Sequence, residues 1–244
     1  MRRQSVHARA LVVRSYDFGE ADRVIVLLTR EFGIVRGVAK GVRRAKSRFG
    51  SRLEPFVELS VQLYQGKSLS TITQADTVEF FGAELIDDLA RYAAGCAVLE
   101  GVEKLAYEGA ESAALYDLAV GALKALRASE MPKLHVASFL LRAMAVTGWE
   151  PSLYQCAQCG AEGPHHAFHP HAGGAVCVMC RPAGTREVDP EALHIMWLLL
   201  QGADQAAAAL VTPTRLAQVE KMVRDHLHWH SERRVLSLNV LDQA

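Results

Sequence analysis

The alternation of apolar and polar residues in the first eighty positions predicts β-strands. The clearest run is FVELSVQLY, where Val57, Leu59, Val61 and Leu63 alternate with polar residues, which is the period of a half-buried strand. Four other β-rich runs, mostly separated by glycine turns, are HARALVVRSYD, RVIVLLTR, GIVRGVA and SLSTITQADTVEF. Five short strands with such turns favour a small barrel, and the oligonucleotide-binding (OB) fold has this strand count.

From about residue 81 the apolar residues recur every three or four positions, which is typical of helices. The first stripe consists of Leu85, Leu89, Tyr92, Cys96, Leu99 and Val102. A second helix is predicted over residues 112–128. A third is predicted from Pro132, which suits the first helical turn, to Gly148.

Two later dipeptides predict helix starts, because each places an N-cap residue before a proline at the first helical position. They are Asp189-Pro190 and Thr212-Pro213. The body of the protein is therefore expected to be an α-helical bundle. The final apolar stretch, RRVLSLNVL at 233–241, is interpreted as a short strand or extended segment.

Charge is distributed unevenly, although the formal net charge at pH 7 is zero. The first 52 residues contain thirteen cations and four acids and carry +9, so the remainder carries −9. Residues 37–52, GVAKGVRRAKSRFGSR, contain six cations and no acid. Such segregation creates a local positive field, and its expected ligand is a polyanion. A solvated surface is the alternative interpretation, but solubility alone does not require charge of a single sign.

This basic run lies on the predicted connection between the third and fourth strands. Lysine and arginine there can neutralise phosphates and release condensed counterions, and the interleaved glycines suit a mobile loop that follows a nucleic-acid backbone. Phosphate contacts predict weak sequence preference. The residues expected to contact nucleic acid, including two on neighbouring strands, are Arg14, Arg36, Lys40, Arg43, Arg44, Lys46, Arg48 and Arg52.

Aromatic residues near this loop are candidates for stacking on unpaired bases. Phe49 lies within the basic run, and Tyr16, Phe18 and Tyr64 lie at neighbouring strand ends. Each of these side chains has a competing role in the barrel core.

Four of the five cysteines form two CxxC pairs, Cys156/Cys159 and Cys177/Cys180, with seventeen residues between the pairs. Two CxxC turns at this separation suit a tetrahedral Zn²⁺ ion bound by four thiolates. The segment between them has few apolar residues, so a metal could supply its folding energy. The sequence predicts a four-cysteine zinc module over about residues 151–184, inserted in the helical region.

Other interpretations of these cysteines fit less well. Disulfides are disfavoured in a cytosolic chain, and a redox pair needs only one CxxC. A catalytic zinc keeps an open position, whereas four thiolates favour a closed, structural site. The histidines between the pairs could replace a thiolate, but we interpret them as surface residues; they are His165, His166, His169 and His171.

Metal ligation is also considered for residues outside the segment of the two cysteine pairs. Cys96 lies on a helical stripe and is interpreted as a core residue. His226 and His230 could chelate a metal at i, i+4 spacing, but the metalloprotease glutamate is missing, so we interpret them as cap or surface residues. No nucleophile–base signature stands out, and no catalytic residue is predicted.

Length and composition agree with a folded protein of one large domain or of two to three small ones. The 244 residues are half apolar, and no uninterrupted apolar run approaches a membrane span. The only early apolar run, 10–13, is too short for a secretory signal. We expect a cytoplasmic α+β protein with an OB-fold barrel over residues 1–80 and a helical domain over 81–244.

The N-terminal pattern resembles a known family. Residues 16–56, YDFGEADRVIVLLTREFGIVRGVAKGVRRAKSRFGSRLEPF, are similar to the N-terminal region of the RecO family of bacterial recombination-mediator proteins. The resemblance continues at the two CxxC pairs and at HLHWHSERRVLSLNVL near the end. It covers most of the chain in the same order.

This resemblance implies a non-catalytic protein of recombinational DNA repair. It implies binding of single- and double-stranded DNA, annealing of complementary strands and, with the partner RecR, loading of RecA onto strands coated by single-strand-binding protein. Such a protein would associate with the nucleoid. The basic-loop positions that match the family motif are Lys40, Arg43, Arg44, Lys46 and Arg48.

Two other functions remain open from the residues alone. A zinc-dependent enzyme that processes nucleic acid would need a carboxylate cluster or an open zinc position. A protein–protein adaptor would use the basic loop to hold an acidic partner. No recognition helix with half-site geometry is present, which disfavours a transcription factor.

Overall fold

The computed structural model describes residues 5–66, 68–109, 112–231 and 234–244. Contacts divide the chain into two units, one up to residue 128 and the other from 129 to 243. The first unit contains the predicted barrel together with the first helices. The expected domain boundary near residue 81 stays a prediction.

Five strands form the closed barrel that the alternation predicts. They are β1 (Ser5–Phe18), β2 (Asp22–Thr29), β3 (Gly33–Ala39), β4 (Val57–Tyr64) and β5 (Ser70–Phe80). The order around the barrel is β1-β2-β3-β5-β4, with β4 paired back to β1 and only the β3–β5 pair parallel. This is a five-stranded barrel of the OB type, as the sequence predicts.

The barrel interior is filled by alternate apolar side chains of its strands, with two further residues from the β3–β4 connection. That connection contains a short 3₁₀ turn at Gly50–Leu53. Phe49 and Leu53, each 2% exposed, pack into the core. The basic loop is thus anchored in the barrel, and Phe49 is a core residue. Of the two roles considered for Phe49, the core role is the one observed, because its ring is buried.

Three helices complete the first unit, and they are α1 (Gly82–Leu85), α2 (Leu89–Leu105) and α3 (Ala113–Leu126). Helix α2 packs on β1, and α3 packs on β2. Strand β2 is consequently buried on both faces. Ile25 and Leu27 face the barrel core, and Val24, Val26 and Leu28 are buried on the other face.

The apolar stripe predicted for α2 coincides only in part with the buried face of this helix. Leu89 is 64% exposed, whereas Ala93, Ala94 and Ala97 are buried. Small side chains allow close approach of the neighbouring elements, and this contribution to burial is invisible to a pattern based on large apolar residues.

One buried carboxylate interrupts the alternation of β4. Glu58 is 4% exposed, and it accepts hydrogen bonds from Arg9 Nη2 at 2.6 Å and from Tyr116 Oη at 2.7 Å. Burial and the bond to Glu58 raise the pKa of Tyr116 above its usual range. A buried charge is tolerated when it is paired and hydrogen-bonded. The three residues therefore join β1, β4 and α3.

The second unit contains five helices among its described residues. They are α4 (Pro132–Val146), α5 (Pro190–Leu200), α6 (Asp204–Leu210), α7 (Pro213–Ser231) and α8 (Ser237–Gln243). The predicted starts at Pro132, Pro190 and Pro213 are confirmed. Asp189 caps α5 by accepting from the Glu191 N–H.

The C-terminal segment is helical, so the predicted strand or extended tail is wrong. Leu238 and Leu241 of α8 are buried at i, i+3 spacing, which satisfies the apolar residues without strand pairing. Sequence reasoning also missed the short α6, which has few large apolar residues. In the described part of the chain, no helix is long and apolar enough to cross a membrane.

The cysteine-containing segment between α4 and α5 rests against α7. It contains the two-residue strands β6 (Phe168–His169) and β7 (Gly174–Ala175). The ring centroids of His171 and Trp229 lie 4.5 Å apart, and Phe168 meets His226 edge-on at 5.8 Å. Aromatic contacts therefore hold this segment on the helix.

His226 is a core residue rather than a cap or surface residue. It is 1% exposed, and its Nε2 lies 3.0 Å from the Trp149 carbonyl oxygen. Burial lowers the pKa of His226 to about 4, although the hydrogen bond to Trp149 opposes this shift. The neutral imidazole is therefore the form that the fold favours.

We expect Gly95→Ala to destabilise the first unit by about 1–3 kcal/mol through overpacking. A Cβ atom at Gly95 would lie 2.8 Å from Cε1 of the buried Phe56 ring. The matched change is Gly121→Ala in α3, where a Cβ would meet nothing within 4 Å. That variant is expected to gain about 0.5–1 kcal/mol from helix propensity. Denaturant unfolding measures both, and equal effects at the two glycines would contradict the packing argument.

Stability of the second unit is expected to fall as the pH falls from about 6.5 to about 4. Over this range His226 is protonated in the unfolded chain but still neutral in the folded one, because folding lowers its pKa. The free energy of unfolding therefore falls by about 3 kcal/mol. His226→Gln should flatten this pH dependence in calorimetric melts. The control His228→Gln changes an exposed histidine of the same helix and should keep the wild-type profile; equal profiles for the two variants would refute the assignment.

Candidate functional site

The four cysteines of the two CxxC pairs meet in one cluster. The sulfurs of Cys156, Cys159, Cys177 and Cys180 all lie within 4.8 Å of one another. Cys156 is buried, Cys177 and Cys180 are half-buried, and Cys159 is exposed. The cluster can hold a metal ion, and the histidines between the two pairs are not part of it.

The spacing of the sulfurs fits a tetrahedral site. Four Zn–S bonds of about 2.3 Å place neighbouring sulfurs about 3.8 Å apart in a tetrahedron, and the Sγ atoms of Cys159 and Cys177 are 3.8 Å apart. The small apolar core beside the cluster consists of Cys156, Ala167 and Val176. A metal ion bound by the four cysteines would add stability that so small an apolar core does not supply.

Glycines allow the tight backbone that surrounds the sulfurs. Gly160 follows the first pair with φ of +73°, a conformation that favours glycine. Gly174 approaches the backbone of Ser152 so closely that a Cβ would lie 2.1 Å from the Ser152 carbonyl oxygen. The two turns can therefore converge on one point.

The electrostatics of the cluster favour a cation. Burial raises the pKa of Cys156, but backbone N–H groups of both turns donate to its sulfur and lower that pKa to about 6. Hydrogen bonds with Cys159 and Cys177 raise the pKa of Cys180 to about 12. Without a cation, one thiolate thus disfavours ionisation of its neighbours. A divalent ion would reverse this and release protons on binding.

The other predicted metal-ligating residues lie elsewhere. His165 is buried, with Nε2 3.1 Å from the Ala161 carbonyl oxygen, so its interpretation as a surface residue is wrong. Cys96 lies on α2 in the first unit, where burial raises its thiol pKa. Its assignment away from the cysteine cluster agrees with the structure.

The basic run forms the exposed connection between β3 and β4. All six of its cations are exposed, namely Lys40, Arg43, Arg44, Lys46, Arg48 and Arg52. Backbone hydrogen bonds define turns in this loop. Gly41 N–H donates to Asp22 Oδ1 at 2.7 Å, and Arg43 N–H donates to the Ala21 carbonyl at 3.0 Å.

The loop cations differ in their partners. Lys40, Arg44 and Lys46 make no ion pair with any described residue. Arg43 pairs with Asp17 at 3.3 Å. The Arg48 guanidinium lies 4.8 Å from the centroid of the Phe49 ring.

The two predicted cations outside the loop are paired with acids. Arg14 of β1 lies 3.5 Å from Glu103, and Arg36 of β3 pairs with Glu108. Sequence reasoning missed these acids, because each lies more than seventy positions from its arginine and no local pattern links them. The aromatic candidates Tyr16, Phe18 and Tyr64 are partly exposed, as stacking would require.

Cations near the C-terminus differ in how they are held. Arg224 pairs with Asp242 of α8 at 2.8 Å and is held within the second unit. Arg234 is exposed, and Arg233 lies outside the described residues.

Comparison with protein families covers nearly the whole chain. Residues 1–81 match the family model described as "Recombination protein O N terminal", and residues 86–239 match "Recombination protein O C terminal". The chain belongs to the RecO family. The RecO N-terminal domain is OB-like, in agreement with the barrel. RecO membership supports a role in DNA repair and recombination, and the family acts generally without catalysis.

The cysteine cluster is expected to bind one divalent metal ion per chain. Titration with Co²⁺ should give thiolate charge-transfer bands and the visible bands of a tetrahedral ion, which Cys156→Ala or Cys177→Ala should remove because each loses one of four ligands. Cys96→Ala is the matched control and should bind normally. Stoichiometric binding by both cluster variants would contradict the assignment.

Proposed function

We propose that this protein is a non-catalytic mediator of recombinational repair that binds single- and double-stranded DNA through the β3–β4 loop. The observation that carries this proposal is the arrangement of six exposed cations on one anchored loop with no acid among them. Of these six cations, only Arg43 makes an ion pair with a described residue. Membership of the RecO family supports the same conclusion.

Binding through phosphates follows from the chemistry of the loop. Lysine and arginine side chains replace the counterions condensed on DNA, so affinity should fall steeply with salt. These contacts carry little sequence information. The exposed rings of Tyr16, Phe18 and Tyr64 would add stacking on unpaired bases, which suits a protein that accepts single strands of any sequence.

Annealing is the activity that such a surface supports. Two complementary strands repel each other through their phosphates, and a cationic loop that neutralises both lowers this repulsion while the bases search for their partners. In the proposed pathway the protein acts with RecR and assists RecA to load onto DNA that carries single-strand-binding protein. These partners rest on family membership.

We also propose that the metal is zinc and that its role is structural. Four thiolates complete a tetrahedral shell and leave no position for water or substrate. The ion would hold together a segment with a very small apolar core, and this segment contacts α7 through His171 and Phe168. Loss of the ion should therefore disturb the second unit rather than a reaction.

The test is fluorescence anisotropy of a labelled single-stranded oligonucleotide across a salt series. Changing Arg43, Arg44 and Lys46 to alanine should weaken binding by about 10- to 100-fold at low salt. It should also reduce the slope of log affinity against log salt by about 0.7 for each lost contact.

The matched control changes Arg181, Arg186 and Lys221 to alanine, which removes three cations of the second unit. It should bind nearly as the wild type does. Equal weakening in both triple variants would indicate a general effect of net charge, and unchanged binding of the loop variant would refute the assignment of the loop.

A further inference from the structure

Arg14 and Arg36 lie in one row across three neighbouring strands. Arg14 of β1 is opposite Val26 of β2, and Val26 is opposite Arg36 of β3. Residues directly opposite each other in antiparallel strands point to the same face. Val26 lies on the outer face, because its neighbours Ile25 and Leu27 fill the barrel core. The two arginines are therefore two strand spacings, about 10 Å, apart on the outer wall.

A short acidic segment crosses this row. Glu103 in the last turn of α2 pairs with Arg14 at 3.5 Å, and Glu108 pairs with Arg36. The Ile34 N–H of β3 donates to the Tyr107 carbonyl at 3.2 Å, which fixes the second end of the segment on β3. The chain from 103 to 108 thus passes from β1 to β3 over β2. We call residues 103–108 the acidic strap.

The position of Glu103 is explained by its arginine and not by its helix. A carboxylate in the last turn opposes the helix dipole, which favours cations at that end. Glu108 lies beyond the end of α2 and gains nothing from the helix either. Each of the two carboxylates instead pairs with an arginine that the sequence analysis predicts to contact nucleic acid.

Both ion pairs are partly exposed to solvent and can therefore exchange partners. The exposed fractions of the side chains are 61% for Arg14 and 21% for Glu103 in one pair, and 38% for Arg36 and 65% for Glu108 in the other. Partly exposed ion pairs contribute little to stability. A phosphate offers an arginine the same oxygen geometry as a carboxylate and can replace it.

We propose that Arg14 and Arg36 form a second phosphate-binding site on the barrel wall, which Glu103 and Glu108 occupy until DNA displaces them. This inference rests on the proposed function, because it takes DNA as the ligand. The strap carboxylates compete with DNA phosphates for Arg14 and Arg36. They therefore lower the affinity of the barrel for DNA.

The experiment repeats the anisotropy titration with a strap variant. Glu103→Gln with Glu108→Gln keeps the size of both side chains and removes both charges. It should bind the labelled oligonucleotide about three- to tenfold more tightly at low salt, because two competing exposed ion pairs are lost. The control Glu84→Gln with Asp117→Asn removes two acids that pair with Arg127 and Arg30, neither of which is among the predicted contacts.

Two further variants complete a double-mutant cycle. Arg14→Ala with Arg36→Ala should weaken binding and reduce the salt slope by about 1.4 on single strands. In that background the two strap substitutions should tighten binding no more than the control does. Thermal melts of every variant separate an altered fold from altered binding.

The inference is overturned if the strap variant binds no more tightly than the control, or if removing the two arginines leaves affinity and salt slope unchanged. Either result would mean that the ion pairs only attach the strap to the barrel and do not affect DNA binding. Failure of the proposed function looks different. In that case the wild type itself fails to bind, or the loop variant binds as the wild type does.

Discussion

Burial of β2 on both faces is the constraint on which the first unit depends. Its inward side chains fill the barrel, and its outward side chains, such as Val26, are covered where α2 and α3 pack. OB barrels commonly bind oligonucleotides on the face of strands 2 and 3, and here much of that face is closed. The exposed cations of the basic run lie away from this face, on the β3–β4 connection. The arginines at the margin of the covered face, Arg14 and Arg36, meet carboxylates of the covering segment.

The second unit contains a long connection between α4 and α5 that has little apolar content. The four cysteines converge on one point, and His171 and Phe168 attach the connection to α7. His226, at the base of this contact, stays neutral because it is buried. The cysteine cluster and the buried His226 thus belong to the same unit, and acid is expected to destabilise this unit through His226.

Local patterns predict most of the architecture, and long-range contacts escape them. The five strands, the helix starts at proline and the cysteine cluster follow from spacing over a few residues. The burial of Glu58 could not be predicted, since it depends on Arg9 and Tyr116, which lie far from it in the sequence. The tail at 233–241 has branched residues that suit a strand, whereas Leu238 and Leu241 find a buried surface as a helix. The acids opposite Arg14 and Arg36 carry no sequence signal at all.

Anchoring of the basic loop by Phe49 and Leu53 has an energetic consequence. When these two side chains enter the core, they fix six like charges on one short connection, and the mutual repulsion opposes closure of the barrel. The free energy gained by burying Phe49 and Leu53 must therefore exceed the repulsion among the six cations. A polyanion bound to the loop would reduce this repulsion. Folding and ligand binding are linked in this way. Under the proposed function, a bound nucleic-acid strand would reduce this repulsion and so would also stabilise the folded barrel.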